Sequence, residues 1–280
     1  MTCKTGGGNR CQEYDPGNGQ YIADTPGDAA YWKKKALPLK MGREQDGYDA
    51  YVDAYVNAIL EAYRGVKALF VNHRLPSQPL RGTYFFGGAG MEGDYIDDMV
   101  AALREVGISS VHAADRHEWS FGDKKMDALA VPFLMSRDVI STDFGRFGSQ
   151  GEQFNLIGYS FGSLKAAQAA LDYADLGGRV DHLVLIGSPI GLELLQEVSS
   201  HPYIGQVVVM NLTEMGDPIS AGMTFGDLVD GIPIVVKQQE TREGHFHYGD
   251  PPENANHDAR VERSNRRRLL VEWLYNFGMR

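Results

Sequence analysis

Residues 154–165 read FNLIGYSFGSLK. An apolar run breaks into Gly-Tyr-Ser-Phe-Gly, and the chain resumes as SLKAAQAALDYADL (163–176), an alanine-rich helical pattern stopped by Gly177-Gly178. A strand that turns directly into a helix gives a serine between two glycines a mechanical meaning. The turn is too tight for Cβ atoms on its flanks, which accounts for Gly158 and Gly162. Ser160 takes a strained backbone conformation that pushes its hydroxyl out at the carboxyl end of the sheet. The helix beginning beside it supplies a positive dipole end and a free N–H. The competing reading is a glycine-framed helix start with Ser160 as an ordinary N-cap.

Outward from this stretch, short β-type runs alternate with helical ones. GTYFFGG (82–88) reads as a strand, followed by a helix through Tyr95, Ile96, Met99, Val100 and Leu103 that ends at Gly107. ISSVHAA (108–114) reads as a strand, and 124–140 as a helical stretch interrupted by Pro132. Beyond the central motif, VDHLVLIGS (180–188), QVVVMNL (206–212) and PIVVKQQ (233–239) read as strands, GLELLQEV (191–198) as a helix, and 258–276 as the last helix. The strand cores LVLI, VVVM and IVV are near-continuous apolar runs, as strands buried on both faces require. The expectation is an α/β fold, a doubly wound and mostly parallel sheet with helices on both faces.

Residues 1–47 differ from the rest. GGGNR, DPGNGQ and DTPGD are turn chemistry with little apolar periodicity, so this segment is expected to be an arm or linker ahead of a domain over 48–280. That domain opens with Tyr48, Tyr51, Val52, Tyr55, Val56, Ile59 and Tyr63, spaced as an amphipathic helix ending near Gly65.

A chain of 280 residues with 43% hydrophobic content can bury a sizeable core. Its formal net charge of -10 argues against a nucleic-acid partner, which needs a basic face. The local basic clusters Lys33-Lys34-Lys35 and Arg266-Arg267-Arg268 read as solvated surface. Cys3 and Cys11 form neither a disulfide framework nor a metal signature. No apolar run approaches the ~18 residues of a membrane span, and the first thirty residues lack the apolar centre of a signal peptide. The expected location therefore stays open between the cytoplasm and export by a specialised secretion system.

A serine hydroxyl is a weak nucleophile until a base, itself held by an acid, takes its proton. TEMGDPIS places Asp217 in a loop beyond an expected strand, with Asp227, Asp230 and Asp250 as weaker substitutes. ETREGHFHYGD places His245 and His247 just past another. His245 is preferred as base because the glycine before it lets the loop bend, and His247 is the alternative. His-x-His on one side of a strand suits a metal, but no third ligand of suitable spacing follows, so neither metal nor cofactor is expected. His257 reads as a helix cap. The order Ser160, Asp217, His245 is that of one serine-hydrolase architecture. Oxyanion donors are expected at the N–H of Phe161 and in the loop of GTYFFGGAGMEG, with Ala89 first and Gly88 and Gly90 beside it. FFGGAG is neither G-x-G-x-x-G nor a P-loop, so a nucleotide site is not expected.

These residues resemble the α/β-hydrolase superfamily, lipase/esterase branch: GYSFG (158–162), FFGGAG (85–90), GDP (216–218) and GHFHY (244–248), over about 80–276. The resemblance implies a Ser160/Asp217/His245 triad, an acyl-enzyme and hydrolysis of esters. A fainter likeness is to lipase-type toxin domains delivered between bacteria, carried by the elbow, HLVLIGSPIG, GDPI and the N-terminal GGGNRCQEYDPGNGQYI. It implies a phospholipid substrate, transient membrane-surface contact, and an immunity or delivery partner. The oxyanion loop lacks the leading histidine of the common His-Gly version, and SAGMTFGDLVDG (220–231) is the only short lid on offer. The functional alternatives are a non-catalytic binding protein on the same fold, or a thioesterase or peptidase on the same triad.

Overall fold

The computed structural model describes residues 13–14, 21–22, 76–136 and 142–280. The chain divides into two compact units, Met1–Lys67 and Ala68–Arg280. In the first, Glu13–Tyr14 pairs antiparallel with Tyr21–Ile22. The rest of the arm expected over 1–47, the helix from Tyr48 to Tyr63, both cysteines and Lys33-Lys34-Lys35 lie outside the described residues.

Among the described residues the second unit holds five strands: β1 (Gly82–Phe86), β2 (Val111–Ala113), β3 (Phe154–Tyr159), β4 (Val180–Ile186) and β5 (Ile204–Met210). They lie in the order β2-β1-β3-β4-β5, and every neighbour is parallel. Every residue of β1 and β3 is buried, as their unbroken apolar character requires. Between and after the strands run α1 (Asp94–Glu105), α2 (Arg116–Trp119), α3 (Lys124–Leu134), α4 (Phe161–Asp175), α5 (Leu192–Ser200), α6 (Phe225–Thr241) and α7 (His257–Asn276).

Alternate side chains of the central strands feed two separate cores. Tyr84, Phe86, Leu156, Leu183 and Leu185 pack with α3, α4 and α5 on one face. Phe85, Ile157, Val184, Ile186 and Val208 pack with α1 and α7 on the other. This is an α/β sheet covered on both sides. Helix α4 runs along the middle strands, and its Ala166, Ala167, Ala169 and Ala170 let the backbone approach the sheet closely. The strand order reverses between β1 and β3, which makes the carboxyl ends of these two strands the switch point of the sheet.

One expected element is wrong. PIVVKQQ is not a sixth strand; it lies inside α6, with Pro233 in the helix interior. The helix starts upstream in a capping box: the Thr224 hydroxyl accepts from Asp227 N–H while the Asp227 carboxylate accepts from Thr224 N–H. Only Leu228, Val229 and Gly231 of α6 are buried, so the β-branched run that suggested a doubly buried strand faces mostly outward. Of the lid candidate 220–231, residues 225–231 form the first turns of this helix. Among the described residues no helix is long and apolar enough to cross a membrane.

Candidate active site

The motif 158–162 spans the end of β3 and the start of α4, with Ser160 between them at φ 54° and ψ -124°. A left-handed φ on a residue with a Cβ is held against strain of about 1–3 kcal/mol. Ser160 N–H is anchored to Ile186 C=O of β4 at 2.8 Å. The glycines are obligatory. A Cβ on Gly158 would lie 2.3 Å from Ser163 Cα, and one on Gly162 would lie 2.2 Å from Gly87 O. Ser163 Oγ lies 2.7 Å from Ser188 Oγ and also donates to Ser160 C=O, which fixes the first turn of α4 from the side.

Three side chains then meet in a line. Ser160 Oγ lies 2.6 Å from His245 Nε2, and His245 Nδ1 lies 2.8 Å from Asp217 Oδ2. A carboxylate oxygen only accepts, so Nδ1 carries the ring proton and Nε2 is left bare to accept from the serine hydroxyl. Asp217 and His245 are both buried, and the second carboxylate oxygen is held by Ile219 N–H at 2.8 Å. Gly187, at φ 51°, leaves the space beside them: a Cβ there would come 3.3 Å from Asp217 Oδ2.

His245 sits in a 3-10 turn, Gly244–Phe246, that follows α6 rather than a strand. In that turn the two histidines diverge instead of sharing a side. His247 Nδ1 accepts from Arg266 at 3.1 Å, and burial, followed by Arg266 and Arg263, lowers its pKa. Of the other acids, Asp227 belongs to the α6 cap and Asp230 is exposed. Asp250 accepts from Tyr95 N–H at 2.7 Å and so closes the start of α1; burial raises its pKa. His257 is the first residue of α7, but the cap is Asn256, which accepts from Ala259 N–H.

The loop after β1 distributes its amides among different partners. Gly88 N–H donates to Tyr95 Oη at 2.7 Å, and Gly90 N–H donates to Asp127 Oδ2 at 2.7 Å. Between them the N–H of Ala89 has no acceptor among the described residues, and neither does that of Phe161 at the first turn of α4. Burial pushes the Tyr95 phenol up, so it stays a neutral group. Asp127 is fully buried and also accepts Phe121 N–H at 2.7 Å. Near it, Lys165 Nζ lies 4.1 Å over the Phe121 ring. Burial brings the Lys165 pKa down to about 7, Asp127 opposes that shift, and Arg146 adds to it.

The turn that carries His245 is held by residues to which the sequence reading gave no such part. Arg263 of α7 is buried and donates to Phe246 C=O at 2.7 Å, to His247 C=O at 2.8 Å, to Arg242 C=O, and to Glu243 Oε1 at 2.8 Å. Arg267, one helical turn on, reaches Tyr248 C=O at 3.0 Å, Gly249 C=O at 3.1 Å and Asp98 at 2.6 Å. The solvated-surface reading of Arg266-Arg267-Arg268 therefore fails at Arg267, whose side chain is 3% exposed, and holds for Arg268 at 56%. Tyr159 donates its hydroxyl to His245 C=O and stacks on the imidazole at 6.0 Å. Gln238 of α6 accepts His245 N–H at 2.9 Å.

Among the described residues no three His, Cys, Asp or Glu side chains are grouped to hold a metal ion. No protein-family model, no curated protein and no solved structure matches the chain.

Proposed function

We propose that the chain is a serine hydrolase of carboxylic esters, built on an α/β-hydrolase type of sheet and acting on lipid esters. The observation that carries this reading is the unbroken hydrogen-bonded line Ser160–His245–Asp217 at the end of β3, with the serine in a left-handed turn. Ser160 Oγ attacks the ester carbonyl carbon as His245 Nε2 takes its proton. Asp217 holds the imidazole in the Nδ1–H tautomer and stabilises the imidazolium that forms. The free amides of Ala89 and Phe161 receive the developing oxyanion, since Gly88 and Gly90 already spend theirs on Tyr95 and Asp127. His245 then gives its proton to the departing alcohol. Water, deprotonated by the same nitrogen, cleaves the acyl-enzyme and restores Ser160.

Lipid is favoured over a small polar ester because apolar side chains stand exposed in the acid loop and on α6. Met215, two residues before Asp217, is 49% exposed, and Ile234 and Val236 of α6 are 49% and 56% exposed.

The test offers purified chain a fluorophosphonate probe, then phospholipid vesicles, p-nitrophenyl esters and acyl-thioesters side by side. Labelling and ester turnover that vanish in folded Ser160→Ala are the expected result. Unlabelled wild-type protein, or a Ser160→Ala variant that still turns over ester, would sink the reading. Turnover confined to thioesters would move the substrate class.

A further inference from the structure

Resting on the serine-hydrolase reading, we propose that Gln238 is the positioning residue that holds His245 in reach of Ser160, by tying the base turn to the acid loop through one side-chain amide. Its Oε1 accepts His245 N–H at 2.9 Å, and its Nε2 donates to Gly216 C=O at 2.8 Å. Gly216 directly precedes Asp217. One side chain therefore sets the backbone spacing between the acid and the base from behind, touching neither the nucleophile nor the position of a substrate.

Nothing else in the backbone does this. Among the described residues no main-chain hydrogen bond joins 212–219 to 243–249. The approach is close enough to dictate a neighbour: a Cβ on Gly244 would land 2.2 Å from Gln238 Nε2, and Gly244 sits at φ +59°. The glycine before the base thus makes room for Gln238 as well as for the bend. Gln238 reaches both loops because 233–239 is helical; it sits in the last turns of α6, where its own C=O accepts Arg242 N–H at 2.7 Å.

Only an amide meets both demands. Glutamate offers no donor to Gly216 C=O, lysine no acceptor to His245 N–H, and asparagine is one methylene short. Arg263 grips the same turn from the opposite side through Phe246, His247 and Arg242. Loss of Gln238 should therefore leave the turn folded and relax only its registration against Asp217 and Ser160. A misplacement of about 1 Å in a catalytic constellation lowers rate on the order of 100-fold.

The experiment uses the full chain as Gln238→Met, Gln238→Glu and, as control, Gln239→Met on the neighbouring exposed position. Fluorophosphonate labelling rate, p-nitrophenyl ester kinetics and thermal melting are read on each. Gln238→Met is expected to lower kcat and the labelling rate about 10- to 100-fold with KM little changed, while melting close to wild type. Gln239→Met should behave as wild type. In Gln238→Glu, the rate relative to wild type should recover as the pH is lowered, because a protonated carboxyl again presents one donor and one acceptor. Wild-type labelling rates in both Gln238 variants would overturn the role of Gln238 and leave the hydrolase reading standing. So would a loss that only tracks the unfolded fraction, or one confined to KM. Unlabelled wild-type protein would take down the hydrolase reading and this inference with it.

Discussion

A Cβ on Gly162 would sit 2.2 Å from the carbonyl oxygen of Gly87, so the turn that carries Ser160 and the loop after β1 meet backbone to backbone. The same loop runs past Ser160: a Cβ on Gly88 would lie 3.6 Å from Ser160 Cβ. The second-nearest atom to a Cβ on Gly162, Phe86 O at 2.4 Å, is also main chain, so no side-chain rotation can relieve a substitution. Gly162→Ala should therefore destabilise the fold by about 3 kcal/mol, at the upper end for overpacking. Gly226→Ala is the control: its added carbon meets Thr224 Oγ1 at an ordinary 3.5 Å. Urea midpoints of the two variants check this, and equal midpoints would contradict it.

Ser160 holds φ 54° only because β3, α4 and the Ile186 carbonyl enforce it. Alanine keeps the Cβ and the strain, whereas glycine sheds both. Ser160→Gly should be more stable than Ser160→Ala by about 1 kcal/mol, despite the usual entropic penalty of glycine. Denaturant unfolding of the two variants measures it directly.

On the serine-hydrolase reading, Asp217→Asn should leave the loop folded and stop ester turnover. Ile219 N–H holds one side-chain oxygen, so the new amide must turn its NH₂ toward His245 Nδ1. The imidazole then carries its proton on Nε2 and points it at Ser160 instead of accepting from it. A wrong tautomer of this kind lowers kcat about 10⁴-fold. Ester turnover beside a near-native far-UV spectrum is the check.

Lys165 gives the fold a pH-dependent weakness. Burial lowers its pKa from 10.5 to about 7. Between those values the unfolded chain binds more protons than the folded one, so this group makes stability rise with pH across the window. Below about pH 7 both states carry the proton, and the burial penalty is felt in full. Lys165→Met should raise the melting temperature more at pH 6 than at pH 10. A gain independent of pH would mean that the ammonium is not desolvated in the folded protein.

Arg263→Met removes the donor to three carbonyls and to Glu243 in one step. Each buried acceptor left unsatisfied costs about 1–3 kcal/mol. The variant should lose at least that much stability and most of its Ser160 labelling, in contrast to the selective loss expected at Gln238. Parallel melting and labelling curves distinguish the two.

Several features were legible because the residues that build them are neighbours in the chain. The apolar run of β3, the two glycines and the alanine-rich α4 are contiguous, and so the elbow reads off directly. Asp217 and His245 were legible as polar residues at the ends of apolar segments. PIVVKQQ was misread because β-branched residues favour strands on average, while this segment's state was set by the Thr224–Asp227 cap upstream and by burial of a single face. The TFGD signal was present in the sequence and outweighed by composition. The arginine run misled for a similar reason. Successive residues on a helix point about 100° apart, so three identical side chains need not share a surface.

The sequence by itself determined the strand–turn–helix order around Ser160 and its strained backbone, and offered Asp217 and His245 as partners, because the first two depend on short-range sterics and on apolar periodicity. It preferred His245 over His247 and Ala89 over Gly88 and Gly90 without settling either choice. Those choices belong to Arg266, Tyr95 and Asp127, which accept from or donate to the competing groups across long sequence separations. Polar groups close together in the chain differ only in which distant partner reaches them, and packing alone brings such partners into range.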